Sequence, residues 1–336
     1  MKKFVFVVFV AVVGSVILGR CSGTGSQGTG LLSSSGRAGD VLVVCSDRQW
    51  KGVLGDSLHA VLMQPVLGLP QEEPSFMLSH VSENYFKEAY KKQRNILYFT
   101  IDPSFEQGKV SVTHNLWAQP QLLIRINAKD EQQAIETFLL YQKSVINYFL
   151  TSEMKRFQRA QRSNQNFHAS SEVKRLFHIS MVIPDGFIFA VKDSNFVWLR
   201  KDIMDKNKDQ VQNILIYTEK YTDTNQLSNG YIVRLRDKFT KKYILANVDS
   251  SFVVVDEKYI PTVSEYLENK EGYTIRTVGL WKKVKDFMGG TFVNMSILDE
   301  KNNRIITLDG FLYAPADNKR DLIRQLEAVL LSMKVE

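Results

Sequence analysis

Short runs of β-branched and aromatic residues recur along almost the whole chain, and three long stretches interrupt them with apolar residues spaced by threes and fours. The runs at 40–45, 76–81, 95–101, 110–117 and 121–127 read as strands, as do those at 177–183, 187–192, 196–200, 214–218, 252–255 and 274–279. Residues 291–298 and 304–313 read as a hairpin across an acidic turn at 299–303. The longest helical stripe starts near Asp130 and carries Ala134, Ile135, Phe138, Val145, Phe149 and Phe157. A second spans 229–243, and a third starts at Asp317, a natural N-cap. Shorter helices are expected at 55–66 and, capped by Ser82, at 82–93. Strands and helices in this mixture predict an α+β fold: two antiparallel-rich sheets, each covered by helices. Asn95-Ile96-Leu97-Tyr98-Phe99-Thr100 resembles Asn213-Ile214-Leu215-Ile216-Tyr217-Thr218, which suggests an internal duplication, with chance similarity as the alternative.

The first twenty residues read as an address. Met1-Lys2-Lys3 is a positive start, and residues 4–18 are uncharged and apolar. A run of that length suits a secretory signal and falls short of the ~20 residues a spanning helix needs. Leu18-Gly19-Arg20-Cys21 resembles the lipobox of bacterial lipoproteins, in which the cysteine takes the lipid and becomes the first residue after cleavage. Arg20 departs from the small residue usual at that place, so an uncleaved peptide anchor is the alternative. Residues 22–39 are rich in Gly and Ser, as a flexible tether would be. The organisation expected is therefore a signal peptide at 1–20, a tether at 21–39 behind lipidated Cys21, and α+β halves at 40–165 and 172–336. The polar stretch 159–171 divides the halves.

Removing residues 1–20 takes away Lys2, Lys3 and Arg20, and lowers the net charge from +7 to +4. So mild a surplus gives no reason to expect nucleic acid as a partner. With Cys21 assigned to lipid, Cys45 is the one cysteine left in the body; it ends an apolar run and reads as a buried free thiol. Gly23-Thr24-Gly25-Ser26-Gln27-Gly28 matches a dinucleotide fingerprint but lacks the strand and helix that such a loop must join. The body holds no zinc-protease, Walker or nucleophile-elbow motif, and its histidines (His59, His80, His114, His168 and His178) have no short metal-ligand spacing. No metal and no cofactor are expected. Glu72 and Glu73 read as surface loop acids, and Gly289-Gly290 as a tight turn or an anion-binding turn. Lys155, Arg156, Arg159 and Arg162 read as a solvated helix end or a basic patch facing lipid headgroups.

The tryptophans offer more. Trp117, Trp198 and Trp281 stand at or near the ends of apolar runs, with Gln119 and Gln121, Arg200, or Lys282 and Lys283 close by. Aromatic rings beside Arg or Gln commonly grip sugars, peptides and protein partners. Trp117, Gln119, Trp198, Arg200 and Trp281 are therefore the candidate binding residues, with separate core-filling roles as the alternative.

Several pieces resemble an uncharacterised family of Bacteroidetes lipoproteins, domain of unknown function 4837. They include Leu69-Pro70-Gln71-Glu72-Glu73-Pro74, Trp117-Ala118-Gln119-Pro120-Gln121, Asn195-Phe196-Val197-Trp198-Leu199-Arg200 and Phe287-Met288-Gly289-Gly290-Thr291-Phe292. Thr291 stands where the family pattern would have proline. The resemblance implies a lipoprotein address and carries no chemistry. The function expected is a palmitate-bearing lipoprotein of the cell envelope, periplasm-facing or in the outer membrane, that binds an envelope protein, glycan or other ligand without catalysis. An envelope hydrolase with an unrecognised site is the alternative.

Overall fold

The computed structural model describes residues 30–205, 208–245 and 251–336. The expected signal segment, Cys21 and the first part of the tether lie outside the described residues. Leu32–Glu336 forms one compact unit.

Its first sheet uses β1 (Asp40–Val44), β2 (Met77–Val81), β3 (Asn95–Ile101), β4 (Lys109–His114) and β5 (Leu122–Ala128), in the order β2-β1-β3-β5-β4. Every pair is parallel except β4 with β5, so the expectation of an antiparallel-rich first sheet is wrong. Strand composition does not encode direction; connections do. Helix α1 (Val53–Leu62) lies between β1 and β2, and a crossover of that kind joins parallel strands. Val41, Leu42, Val43 and Val44 are all buried, the mark of a strand covered on both faces. On one face Val41, Val43, Leu97, Phe99 and Ile124 pack with Leu54 and Leu58 of α1 and with Phe138 and Phe149 of α2 (Glu131–Ser163). On the other, Leu42, Val44, Ile96 and Leu123 meet Phe86, Tyr98 and Trp117. Phe86 sits edge-on to Tyr98 and Trp117, 5.5 and 5.6 Å between ring centres. That inward turn splits the helix expected at 82–93 into a 3-10 turn, Glu83–Tyr85, and a single helical turn, Glu88–Lys91.

Asp130 caps α2 by accepting from the Gln133 amide at 2.8 Å. The expected basic end of this helix is not one solvated face. Arg156 is buried and donates to Glu153, which is fully buried and also accepts from Arg94 and Asn95. The polar stretch at 159–171 hides a second helix, α3 (Phe167–Phe177), capped by Asn166 and burying Ala169, Val173 and Phe177. The strand expected at 177–183 shrinks to Ile179–Ser180.

The second sheet is a curled, antiparallel half-barrel. It contains β6 (Ile188–Lys192), β7 (Phe196–Asp205), β8 (Lys208–Lys220), β9 (Val253–Val255), β10 (Val263–Leu267), β11 (Thr274–Lys283), β12 (Gly289–Asp299) and β13 (Arg304–Tyr313). The order is β9-β11-β12-β13-β8-β7-β6, with β10 also on β11. Val197, Leu199, Ile214, Ile216, Val293 and Leu308 face α3 and α5 (Arg320–Leu330). Phe196, Leu215, Tyr217, Phe292 and Phe311 face α4 (Asn229–Tyr243).

The duplication does not hold. Asn95–Ile101 has parallel neighbours on both sides, whereas the segment 213–218 has antiparallel neighbours on both sides. Both are central strands buried on two faces, and that shared demand accounts for their similar apolar runs. Asp317 does not cap α5 either; it accepts from Gln210 at 2.7 Å. The cap comes from Glu73, whose carboxylate takes the amides of Lys319 (2.6 Å) and Arg320 (3.0 Å). Glu73 is thus a buried joint between the halves, not a surface loop acid.

Candidate functional site

On a strand, residues two apart share a face. Trp198 and Arg200 on β7 therefore point the same way, and so do Trp281 and Lys283 on β11. Arg200 pairs with Asn213 of β8, which pairs with Phe311 of β13, so these three stand in one row across the sheet. The curl brings β7 and β11 to opposite walls of a trough. All six of these residues line one cavity of about 450 Å³, closed by Ile244, Leu245, Val253 and Met288. On each strand the cation follows its tryptophan by one pleat, and both strands run toward the same end of the sheet.

The two indoles spend their N–H groups inside the fold. Trp198 Nε1 donates to Asn213 Oδ1 at 2.9 Å, and Trp281 Nε1 to the Leu312 carbonyl at 3.1 Å. What they offer the cavity is ring surface. Gly290 makes the second bond possible: a Cβ there would collide with the Leu312 carbonyl and press on Trp281 Nε1. Gly289-Gly290 is therefore neither a tight turn nor an anion-binding turn but the start of β12.

Arg200 Nε pairs with Asp202 at 2.7 Å and Lys283 Nζ with Asp286 at 2.6 Å, all four side chains partly exposed. Behind the cavity wall Arg236 and Asp309 form a fully buried bidentate pair, at 2.9 and 3.2 Å. The guanidinium carbon lies 4.2 Å from the Phe292 ring centre and 5.5 Å from that of Phe311, so the pair fixes Phe311 from behind. Asn294 donates to Asp309 at 3.0 Å, and burial together with the Asp309 charge pushes the Tyr217 hydroxyl well above its ordinary range.

Of the five candidate residues, the structure brings Trp198, Arg200 and Trp281 together. Trp117 stands on the first sheet beside Phe86, with Lys91 Nζ 5.9 Å from its ring centre, and Gln119 pairs with Ser33; neither lines the cavity. Asn213, Phe311, Tyr313 and Met288 went unread in the sequence, although the alternation in Phe311-Leu312-Tyr313 places both rings on one face. Trp50 stacks on His80, 5.0 Å between centres, and His80 Nε2 donates to the Cys45 carbonyl at 2.9 Å. Cys45 is a fully buried free thiol, and burial, with Glu83 and Asp47 nearby, pushes it up to about 12. Among the described residues no group of His, Cys, Asp and Glu could hold a metal ion, and no helix is long and apolar enough to cross a membrane.

No curated protein matches this sequence significantly. Solved structures similar in part include a point mutant of the protein Mog1 and the Saccharomyces cerevisiae Ran-binding protein Mog1p. Each is 11% identical with a TM-score of 0.29; 47% of this chain aligns with 90% of the mutant and 89% of the yeast protein. Human STARD10 is 9% identical with a TM-score of 0.23, over 49% of this chain and 80% of that one. Two families match in sequence. The pieces at 69–74 and 117–121, which the sequence reading assigned to domain of unknown function 4837, fall within the match to a different family. The chain carries a domain of unknown function DUF8532 over residues 34–162 and a domain of unknown function DUF4837 over residues 166–332.

Proposed function

We propose that this protein is a membrane-anchored envelope lipoprotein, acylated at Cys21, that binds a small ligand without catalysis in the half-barrel cavity. The observation that carries the binding reading is the convergence of Trp198, Arg200 and Trp281, distant in sequence, on one cavity. Its volume, about 450 Å³, falls in the range of ~300–1,000 Å³ usual for small-ligand sites. The charged groups on the described wall are both cations, Arg200 and Lys283, set among Trp198, Trp281, Phe311 and Tyr313. A wall of rings and cations suits recognition; hydrolysis would want an acid or base aimed at a reacting atom. The anchor reading rests on Leu18-Gly19-Arg20-Cys21 and the Gly/Ser-rich stretch behind it.

Native mass spectrometry of the protein extracted from its own membranes tests the site. Wild type should carry a bound small molecule that Val211→Trp, which fills the cavity from β8, does not. An empty wild type, or the same species on both proteins, would sink the binding reading. The anchor has a separate test: labelled palmitate should enter wild type and not Cys21→Ala. An unlabelled wild type that keeps residues 4–18 would replace the lipid with a peptide anchor.

A further inference from the structure

We infer that the ligand of this cavity is an anionic amphiphile, held with its apolar tail inward and its head at Arg200 and Lys283. The inference rests on the binding reading above and adds the chemical class.

Polarity along the cavity is graded. Trp281, Phe311 and Val253 on the wall are each only 3% exposed and Trp198 is half-buried, and both indole N–H groups and Asn213 Oδ1 are already taken. A polar group pushed there would lose its water and find few partners, whereas an apolar chain would cover ring surface. The cations on the same wall are wetter, with the Arg200 and Lys283 side chains 38% and 21% exposed. Trp198-Leu199-Arg200 and Trp281-Lys282-Lys283 repeat one device, a ring and then a cation two residues on, on opposite walls. Two partly exposed cations on the wall of an otherwise apolar chamber select a head group of negative charge.

Both cations have carboxylate partners, yet those partners can yield. Asp202 and Asp286 are 41% and 33% exposed, so each can return to water when a ligand takes its place. Asp202 engages Arg200 through Nε, which leaves the Nη fork for a second oxyanion. Exposed apolar side chains adjoin the wall: Leu245, itself a lining residue, Phe287 beside the wall residue Met288, and Met204 farther along β7 from Arg200. They give a tail an apolar path inward. A carboxylate and a phosphate monoester share the required head chemistry.

The test uses the full chain in nanodiscs of zwitterionic lipid, with empty nanodiscs as the partition blank. The probes are octanoate, octyl phosphate, octanol, octyltrimethylammonium and butanoate, measured by equilibrium dialysis. Octanoate or octyl phosphate should bind saturably, and the other three at least about tenfold more weakly, since charge-assisted hydrogen bonds are lost or the tail is too short. Relative preference between the two anions reports the head group. Arg200→Gln with Lys283→Gln should lower the anion's affinity to that of octanol and leave octanol unchanged. Arg200→Lys with Lys283→Arg, which keeps both charges, should retain it. The inference fails if octanol or the ammonium binds as tightly as the anions, if butanoate equals octanoate, or if the double glutamine variant is without effect. The two readings fail separately. A neutral or cationic species found on the extracted protein would overturn the amphiphile class and leave a binding protein. An empty extracted protein would remove the binding reading, and with it the amphiphile that rests on it.

Discussion

Trp198 and Trp281 bring the same ring to one cavity but stand differently toward the fold. Trp281 is 3% exposed, lies edge-on to Phe311 at 5.3 Å and depends on the space left by Gly290. Trp198 is half-buried and anchored by one hydrogen bond to Asn213. Truncating a buried aromatic costs ~3–5 kcal/mol, from lost burial and the cavity left behind. Trp281→Ala should therefore reach that range in urea unfolding, and Trp198→Ala should fall clearly below it while still weakening ligand binding. Equal losses would mean that the difference in burial has no energetic weight. The sequence made both tryptophans visible as a candidate site, because a ring two residues before a cation can be read from spacing alone. It could not separate core from surface: exposure depends on α4 and β9, which cover Trp281 from elsewhere in the chain. Nor could it exclude Trp117, whose sequence surroundings are as suggestive and whose ring sits on another sheet.

At the scale of elements, most of the strands, α2 and α4 were legible because period and capping are local properties, whereas β10 (Val263–Leu267) went unread. Asn229–Tyr243 is the helix that the spacing of Ile232, Leu235 and Phe239 predicts. Three further features were not legible. The direction of β1, β2 and β3 depends on pairing partners; the α1 crossover was the available signal. Helix α3 hides its stripe of Ala169, Val173 and Phe177 among polar residues. The cap of α5 comes from Glu73, 246 residues before Lys319, and no local rule reaches that far. An anionic side chain accepting two amides at a helix N-terminus satisfies orphan donors and meets the positive end of the dipole. Removing a cap costs ~0.5–2 kcal/mol, so Glu73→Ala should lose about that much stability. Asp317→Ala, at the place where local reasoning puts the cap, should cost less. The reverse order, in thermal or urea melts, would mean that the Glu73 contacts contribute little.

At the scale of the molecule, the same joint decides whether the two matched segments behave as one body. Besides the Glu73 cap, Arg320 Nη1 donates to the Pro74 carbonyl at 2.9 Å and Arg324 Nη1 to that of Ser75 at 3.0 Å. Burial and the neighbouring Arg320 charge lower the Arg324 guanidinium to about 10. From the other side, Gln158 and Gln161 of α2 donate to the carbonyls of Ala328 and Gln325 on α5. Helix α5 is thus held by both halves while its apolar face packs on the half-barrel. A helix shared in this way couples the two sheets, since opening either one strips partners from it. Amide hydrogen exchange in rising urea measures the coupling. Amides of β3 in the first sheet and of β8 in the second should converge on one opening free energy. Glu73→Ala combined with Arg324→Ala should then lower both together, by more than Glu73→Ala alone. If β3 opens at a lower free energy while β8 keeps its own, the sheets are independent, and α5 belongs to the half-barrel alone.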